Sequence, residues 1–459
     1  MSRGRRVVVW LLRTLVAAVL GTTAYLVIDR YVTRRAGERR LAEVVAELDA
    51  TDPGWRLDDI LAEREKRFPP DDQNIMIVVQ AAAAQPHKAL TEWAARNPDW
   101  LPKPGFNRLP AADVRAEVGR VREECRAAID TARRVRGLPA GGYRLDVKPN
   151  PLDTLIRPTQ EVHTAAVLLQ FDAATAAACG DADRAVTSAH ACLDAARGIG
   201  DEPTLISMLV RMACGNIAKE TAERTLALGV PTTGLTELQA TFADEADAPL
   251  LAIGLRGERA MLDRLYDSLD TGRTDLGAIG DDRRTEFNPE RVFGEWMYRG
   301  KLPADRATYL RWTTDMLAVA QRPPHERLSL LTAVPQPDFR QAPLCKLLVP
   351  SVGRLESVDP RVKAALRSAA VGIACERYRQ KHGRWPAALA DIPKDILAAV
   401  PLDPYDGRPL RYSKTHDGVV VYSVGPDLAD DNGNLSYGQP QPGEDVGFRL
   451  WDVGRRRAE

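Results

Sequence analysis

Hydrophobic and polar positions divide this chain into two regimes. Val7 to Ile28 runs VVVWLLRTLVAAVLGTTAYLVI, apolar almost throughout, with Arg13 as its one charge. As a helix it rises about 33 Å against a hydrocarbon core of about 30 Å, which predicts a membrane span. No polar stripe crosses it, unlike a core helix of a water-soluble body. Beyond it, apolar residues recur every three or four positions. Leu41, Val44, Val45 and Leu48 form a narrow stripe that ends at Asp52-Pro53-Gly54. A short helix from about Arg56 to Arg67 stops at Phe68-Pro69-Pro70, and Ile75 to Ala84 is another. Ala111 to Arg136 reads as one long helix with Val114, Val118, Val121, Cys125 and Ile129 on a single face.

Thr154 to Leu228 carries the clearest helical pattern. Val162, Ala165, Ala166, Leu169, Ala173 and Ala176 form one face, ended by Gly180; Ala185, Ala189, Cys192, Leu193 and Ala196 form the next. Asp201-Glu202-Pro203 opens a third helix, where acids suit the N-terminus and proline the first turn. Small residues on facing stripes imply close packing. Helices are expected again over Leu235 to Phe242, Leu250 to Leu269 and Arg306 to Ala320, with Asp270 to Arg284 and the Trp296 region as loops. Gln321 to Val358 is proline-rich and reads as an irregular connector. Arg361 to His382 is a helix with Gly383 as its stop. Two strands, Pro409 to Ser413 and Gly418 to Val424, then flank a hairpin turn.

The fold class expected is therefore mainly α: a membrane anchor (1–32), a helical part with loops (33–151), a helical-hairpin bundle (152–320), a connector (321–360) and a small α/β unit (361–459). The Gly180-Asp181-Ala182-Asp183-Arg184-Ala185 turn between paired helices resembles a tetratricopeptide hairpin. One repeat length on, Glu220 stands where Ala185 should recur, so a bundle without strict repeats is the simpler expectation.

The C-terminal unit carries Glu376-Arg377-Tyr378-Arg379, His382-Gly383-Arg384-Trp385-Pro386, Asp403-Pro404-Tyr405-Asp406-Gly407-Arg408-Pro409-Leu410-Arg411-Tyr412 and Tyr422-Ser423-Val424-Gly425-Pro426-Asp427, in that order. This succession resembles the periplasmic part of type II secretion pseudopilins and related pilin-like proteins. With the helical body and the anchor, the chain looks like a group of bacterial envelope proteins with pilin-like C-termini. Two departures stand out. Pseudopilins place their apolar span on the helix that enters this domain, and here the span lies far upstream and lacks a Glu. The resemblance thus implies a shared small fold and leaves polymerisation in doubt. It also implies calcium in the loop after the last strand, where Asp427 matches the family's acidic position and Asp430 and Asp431 follow, with Asn432 and Ser436 nearby. Hard oxygen ligands suit calcium. The family's glycine pair is missing, Leu428 defeats an EF-hand pattern, and a solvated acidic turn is the competing reading.

Apolar content of 44% and charged content of 27% support an ordinary core, and a net charge of zero with dispersed basic residues argues against nucleic-acid binding. Arg455-Arg456-Arg457 reads as a solvated tail. Six cysteines are too few for a disulfide scaffold, and most sit among small apolar residues as core thiols. Common catalytic motifs are missing, and the six histidines are isolated, although His163 and His190 lie on neighbouring helices. Arg157 with Glu161, and Glu258-Arg259 after Gly254 and Gly257, are charges near apolar faces that could line a groove.

Arg3, Arg5 and Arg6 with Thr22-x-Ala24 also fit a cleaved signal peptide, but Tyr25 to Ile28 prolong the apolar run and favour an uncleaved anchor. Basic residues flank both ends, Arg30, Arg34, Arg35, Arg39 and Arg40 on the far side, so the pseudopilin resemblance is what puts the body outside the cytosol, on the inner membrane. The function expected is a non-catalytic envelope scaffold or adaptor that binds proteins. Its alternatives are an accessory subunit of a type II secretion or pilus-like machine, and an envelope hydrolase without a recognisable motif.

Overall fold

One helix, α1 (Arg3–Thr51), carries the apolar run and continues without a break into the body. The computed structural model describes residues 3–98, 100–101, 105–148, 150–154, 156–276, 289–339 and 342–458. Over Val7 to Val32 the large apolar side chains of α1 face outward. From Gly37 onward its stripe turns inward, and Val44 and Leu48 pack with Ala307 and Leu310 of α12 (Pro289–Ala320). Anchor and stripe, read from sequence as separate elements, are thus one rod of about 73 Å, because nothing between them breaks a helix.

The body is built from α2 (Leu57–Glu65), α3 (Ile75–Ala83), α4 (Lys88–Arg96), α5 (Ala112–Glu124), α6 (Arg126–Arg133), α7 (Arg157–Cys179), α8 (Ala182–Arg197), α9 (Leu205–Leu228), α10 (Leu235–Asp247) and α11 (Leu250–Asp270). The long helix expected over Ala111 to Arg136 is split at Cys125, whose buried side chain stays with the apolar face while the backbone leaves the helical region. α7 and α8 form a hairpin as expected. Gly180 ends α7 at φ 88°, a left-handed conformation open to glycine, and the Asp181 carboxylate accepts the Arg184 N–H at 3.1 Å to cap α8. By length and composition α7 also passes for a membrane span, but 67% of that stretch is buried, which makes it a core helix.

Three expectations fail in the second half. The Trp296 region is helical, and α12 runs through Pro303, which sequence reasoning takes as a barrier because it removes a donor. α12 packs along α1 and α11 on either side of it. The connector contains α13 (Pro324–Ala333), and its end is already helix: α14 (Pro343–His382) crosses the expected boundary at 360. Pro324 and Pro343 sit in the first turns of these helices, where they cost no hydrogen bond, and α14 also runs through Pro350 and Pro360. The expected loop over 270–284 is described only to 276.

The sheet has three antiparallel strands in the order β1 (Arg411–Thr415), β2 (Gly418–Ser423), β3 (Val446–Trp451). The hairpin was legible; β3 was missed, although Val446, Phe448 and Leu450 alternate along it with Gly447 and Arg449. That glycine is required, as a Cβ there would lie 2.4 Å from the Val421 carbonyl oxygen. Val419, Val421, Phe448 and Leu450 join the main core with α14, α9 and α10, so one apolar interior runs from α3 to β3. The C-terminal arginines are no solvated tail. Arg456 is buried on Glu376 at 2.8 Å and donates to the Gly229 carbonyl, and Arg457 donates to the last carbonyls of α7.

Candidate binding cleft

α2 presents Leu57, Ile60 and Arg64 on its inner face, so a guanidinium stands where the period calls for an apolar group. Arg64 is 2% exposed. It donates to the carbonyls of Tyr143 at 2.6 Å and Ile199 at 3.4 Å and to Asp201 at 3.2 Å, flanked by the rings of Phe68 and Tyr143. Burial lowers its pKa, and the charges of Glu202 and Asp201 oppose that. Such a cation fixes the α8–α9 turn against α2, because leaving it unpaired would be costly.

In front of this anchor lies a cleft of about 780 Å³, walled by α2, the turn before α9, and the start of α11. Pro53, Ile60, Pro203, Pro249 and Ile253 give it apolar surface; Arg64, Lys66, Arg67 and Arg256 give it positive charge, and Asp59, Glu63 and Asp201 negative. Each cation already holds a carboxylate: Lys66 with Glu63 at 3.1 Å, Arg67 with Asp201 at 2.8 Å, Arg256 with Asp52 at 2.9 Å. Burial opposes ionisation of Asp52, yet hydrogen bonds from Arg256 and Arg259 prevail and hold its carboxyl below the usual range.

The back wall depends on glycines. A Cβ on Gly257 would fall 2.1 Å from the Pro203 carbonyl oxygen, and one on Gly254 2.9 Å from Leu205. This contact sets Glu258 beside the first turn of α9, where burial pushes its carboxyl up to about 7 despite a hydrogen bond from the Leu205 N–H. Glu202, fully buried nearby, is also pushed up to about 7 by burial. One of its oxygens accepts from Ser207 at 2.7 Å; the other is buried without a partner among the described residues. Both acids support the wall rather than line the cleft. What the arrangement offers chemically is a fixed surface of paired charges and prolines, suited to holding a polar chain.

Of the charges singled out from sequence, Glu258 and Arg259 do meet this region, and Arg259 is buried on Asp52. Arg64, Asp201 and Glu202 were missed as a group; an arginine in the apolar register of α2 was the available signal. Glu161 keeps one oxygen buried and unpartnered among the described residues. His163 is exposed, whereas His190 is buried and bonded to Thr241 at 2.8 Å. Burial lowers the His190 pKa to about 3, with Arg136 and Arg197 adding to the effect.

The acidic loop is organised by protein donors. Asp427 accepts from the N–H groups of Ala429 (3.1 Å) and Gly443 (3.0 Å). Asp430 accepts from the Tyr422 hydroxyl and the Asn432 N–H, both at 3.0 Å. Asp431 leaves Oδ2 buried without a partner among the described residues, and the missed member Asp445 accepts from the Gly433 N–H at 2.8 Å. Burial, with Asp431 and Asp430 adding repulsion, pushes Asp445 up to about 6. Among the described residues no three His, Cys, Asp or Glu side chains are placed to share a metal ion. Comparison with protein-family models, with curated proteins and with solved structures finds no match.

Proposed function

We propose that this chain is a membrane-anchored, non-catalytic scaffold or adaptor of the cell envelope that holds a protein segment in the cleft between α2 and α11. The observation that carries this is the cleft itself: its cations are matched to carboxylates and its wall is set by buried groups, as in a surface built for docking. An exchange of ion pairs gives specificity more readily than a bare apolar groove does. The exposed apolar stretch of α1 supports anchoring, and the pseudopilin resemblance of 361–459 supports an inner-membrane protein with its body exported. The acidic loop is read as a self-capped turn. Calcium titrated calorimetrically into the full chain is expected to give no binding heat, and heat abolished by Asp431→Asn would reverse that reading.

A photo-crosslinker at position 253 in the full chain tests the cleft. It should capture a discrete protein that is not captured from exposed position 402, and Arg256→Glu should reduce the yield several-fold. Equal capture from both positions would remove the cleft from the function. A second reading, an accessory subunit of a type II secretion or pilus-like machine, is favoured by the α14 helix backed by an antiparallel sheet. Its partner should be lost on disrupting the sheet's half-buried edge strand β1 and kept in Arg256→Glu.

A further inference from the structure

Where α1 leaves its apolar run, a second helix lies beside it. Arg30 of α1 sits over the Trp296 ring of α12 at 4.6 Å, Gly37 packs on Ala304, and Glu47 pairs with Arg311 at 3.1 Å. Residue numbers rise together along both helices, so the two run parallel, each advancing about 1.5 Å per residue. The start of α12 therefore points back along the span. Phe293, one turn before Trp296, is level with about Val27, inside the apolar run. It is 50% exposed, and its ring stacks on Trp296 at 6.1 Å. Exposed aromatics at the end of an apolar span suit the boundary between headgroups and hydrocarbon.

Just beyond this level the charge changes sign in favour of cations. Arg35, Arg39 and Arg40 of α1 and Lys301 of α12 are exposed, and Arg34 takes up Glu38 and Asp270. Over 29–40 of α1 and 295–306 of α12 the acids are Asp29, Glu38, Glu295 and Asp305, against eight arginines and lysines. Long basic side chains next to a bilayer are attracted to anionic lipid headgroups.

We infer that α12 is a second, non-spanning membrane contact: Phe293 and Trp296 enter the bilayer interface beside α1, and the cations beyond them bind anionic phospholipid headgroups. This rests on the reading of α1 as a membrane span. It would fix the tilt and rotation of the body against the membrane, which a lone span leaves free.

The test uses the full chain with exposed Cys179 replaced by Ser and an environment-sensitive fluorophore on Phe293→Cys, Leu12→Cys or Leu402→Cys. Each is reconstituted into phosphatidylcholine vesicles with or without phosphatidylglycerol, with a nitroxide-lipid quencher. Positions 12 and 293 should be quenched and 402 should not, and quenching at 293 should rise when phosphatidylglycerol is present. Quenching at 12 without quenching at 293 overturns the inference and leaves the anchor standing. No quenching at 12 removes both. Quenching at 293 that ignores lipid charge overturns the headgroup contact.

Discussion

Two residues show how the cleft is held. An alanine at Gly257 meets a backbone oxygen, which cannot step aside as a side chain can. Gly257→Ala is expected to destabilise by about 1–3 kcal/mol, the range of overpacking, seen as a lower melting temperature. Gly119→Ala, with open space around an exposed helical position, should gain roughly 0.5–1 kcal/mol instead. Glu202 gives a pH signature. Its folded pKa of about 7 lies above the usual glutamate value of 4.5, so the folded state binds the extra proton and stability falls as pH rises between them. Denaturation of Glu202→Gln should show a flatter pH dependence over that window and a gain of roughly 1–3 kcal/mol at pH 8. A steeper profile would contradict the assignment. Glu258 and Gly257 were visible in the sequence as charges and glycines near an apolar face. Arg64 was not, because its partners come from a loop and a turn far along the chain.

At the level of elements, helix existence was largely legible, since stripes such as Val162 to Ala176 permit little else. Their ends and joins were less so. Pro303 lies inside α12, Pro350 and Pro360 lie inside α14, and β3 is fixed by its pairing with β2. Each is decided by a neighbour that local pattern does not name. The C-terminal strap is the sharpest case. Arg456 joins Glu376 of α14 to the Gly229 carbonyl after α9, inside the protein. Removing one partner of a buried pair costs about 3–5 kcal/mol, so Arg456→Ala should lower the melting temperature markedly, and Arg455→Ala should not. Burial works against the Glu376 charge, yet the bonds from Arg379 and Arg456 hold its carboxyl low, and this contribution fades as pH falls below the ordinary glutamate range. Similar melting of the two variants would show that the strap is dispensable.

For the whole molecule, the chain divides less cleanly than its sequence suggests. The small sheet shares one core with the helical bundle, and the span shares one helix with the body. With α1 embedded in a bilayer as proposed, a rigid link of this kind would place the cleft at a set distance from it, whereas a flexible tether would let it wander. The apolar run was plain from Val7 onward; its continuity through Arg34 and Gly37 into the α12 contact became visible only with the fold. Every functional statement above depends on that rod being embedded in lipid. Membranes from cells making the full chain, washed with alkaline carbonate and floated on a density gradient, test this directly. The protein should rise with the lipid, and recovery in the unfloated soluble fraction would contradict the anchor and the envelope role together.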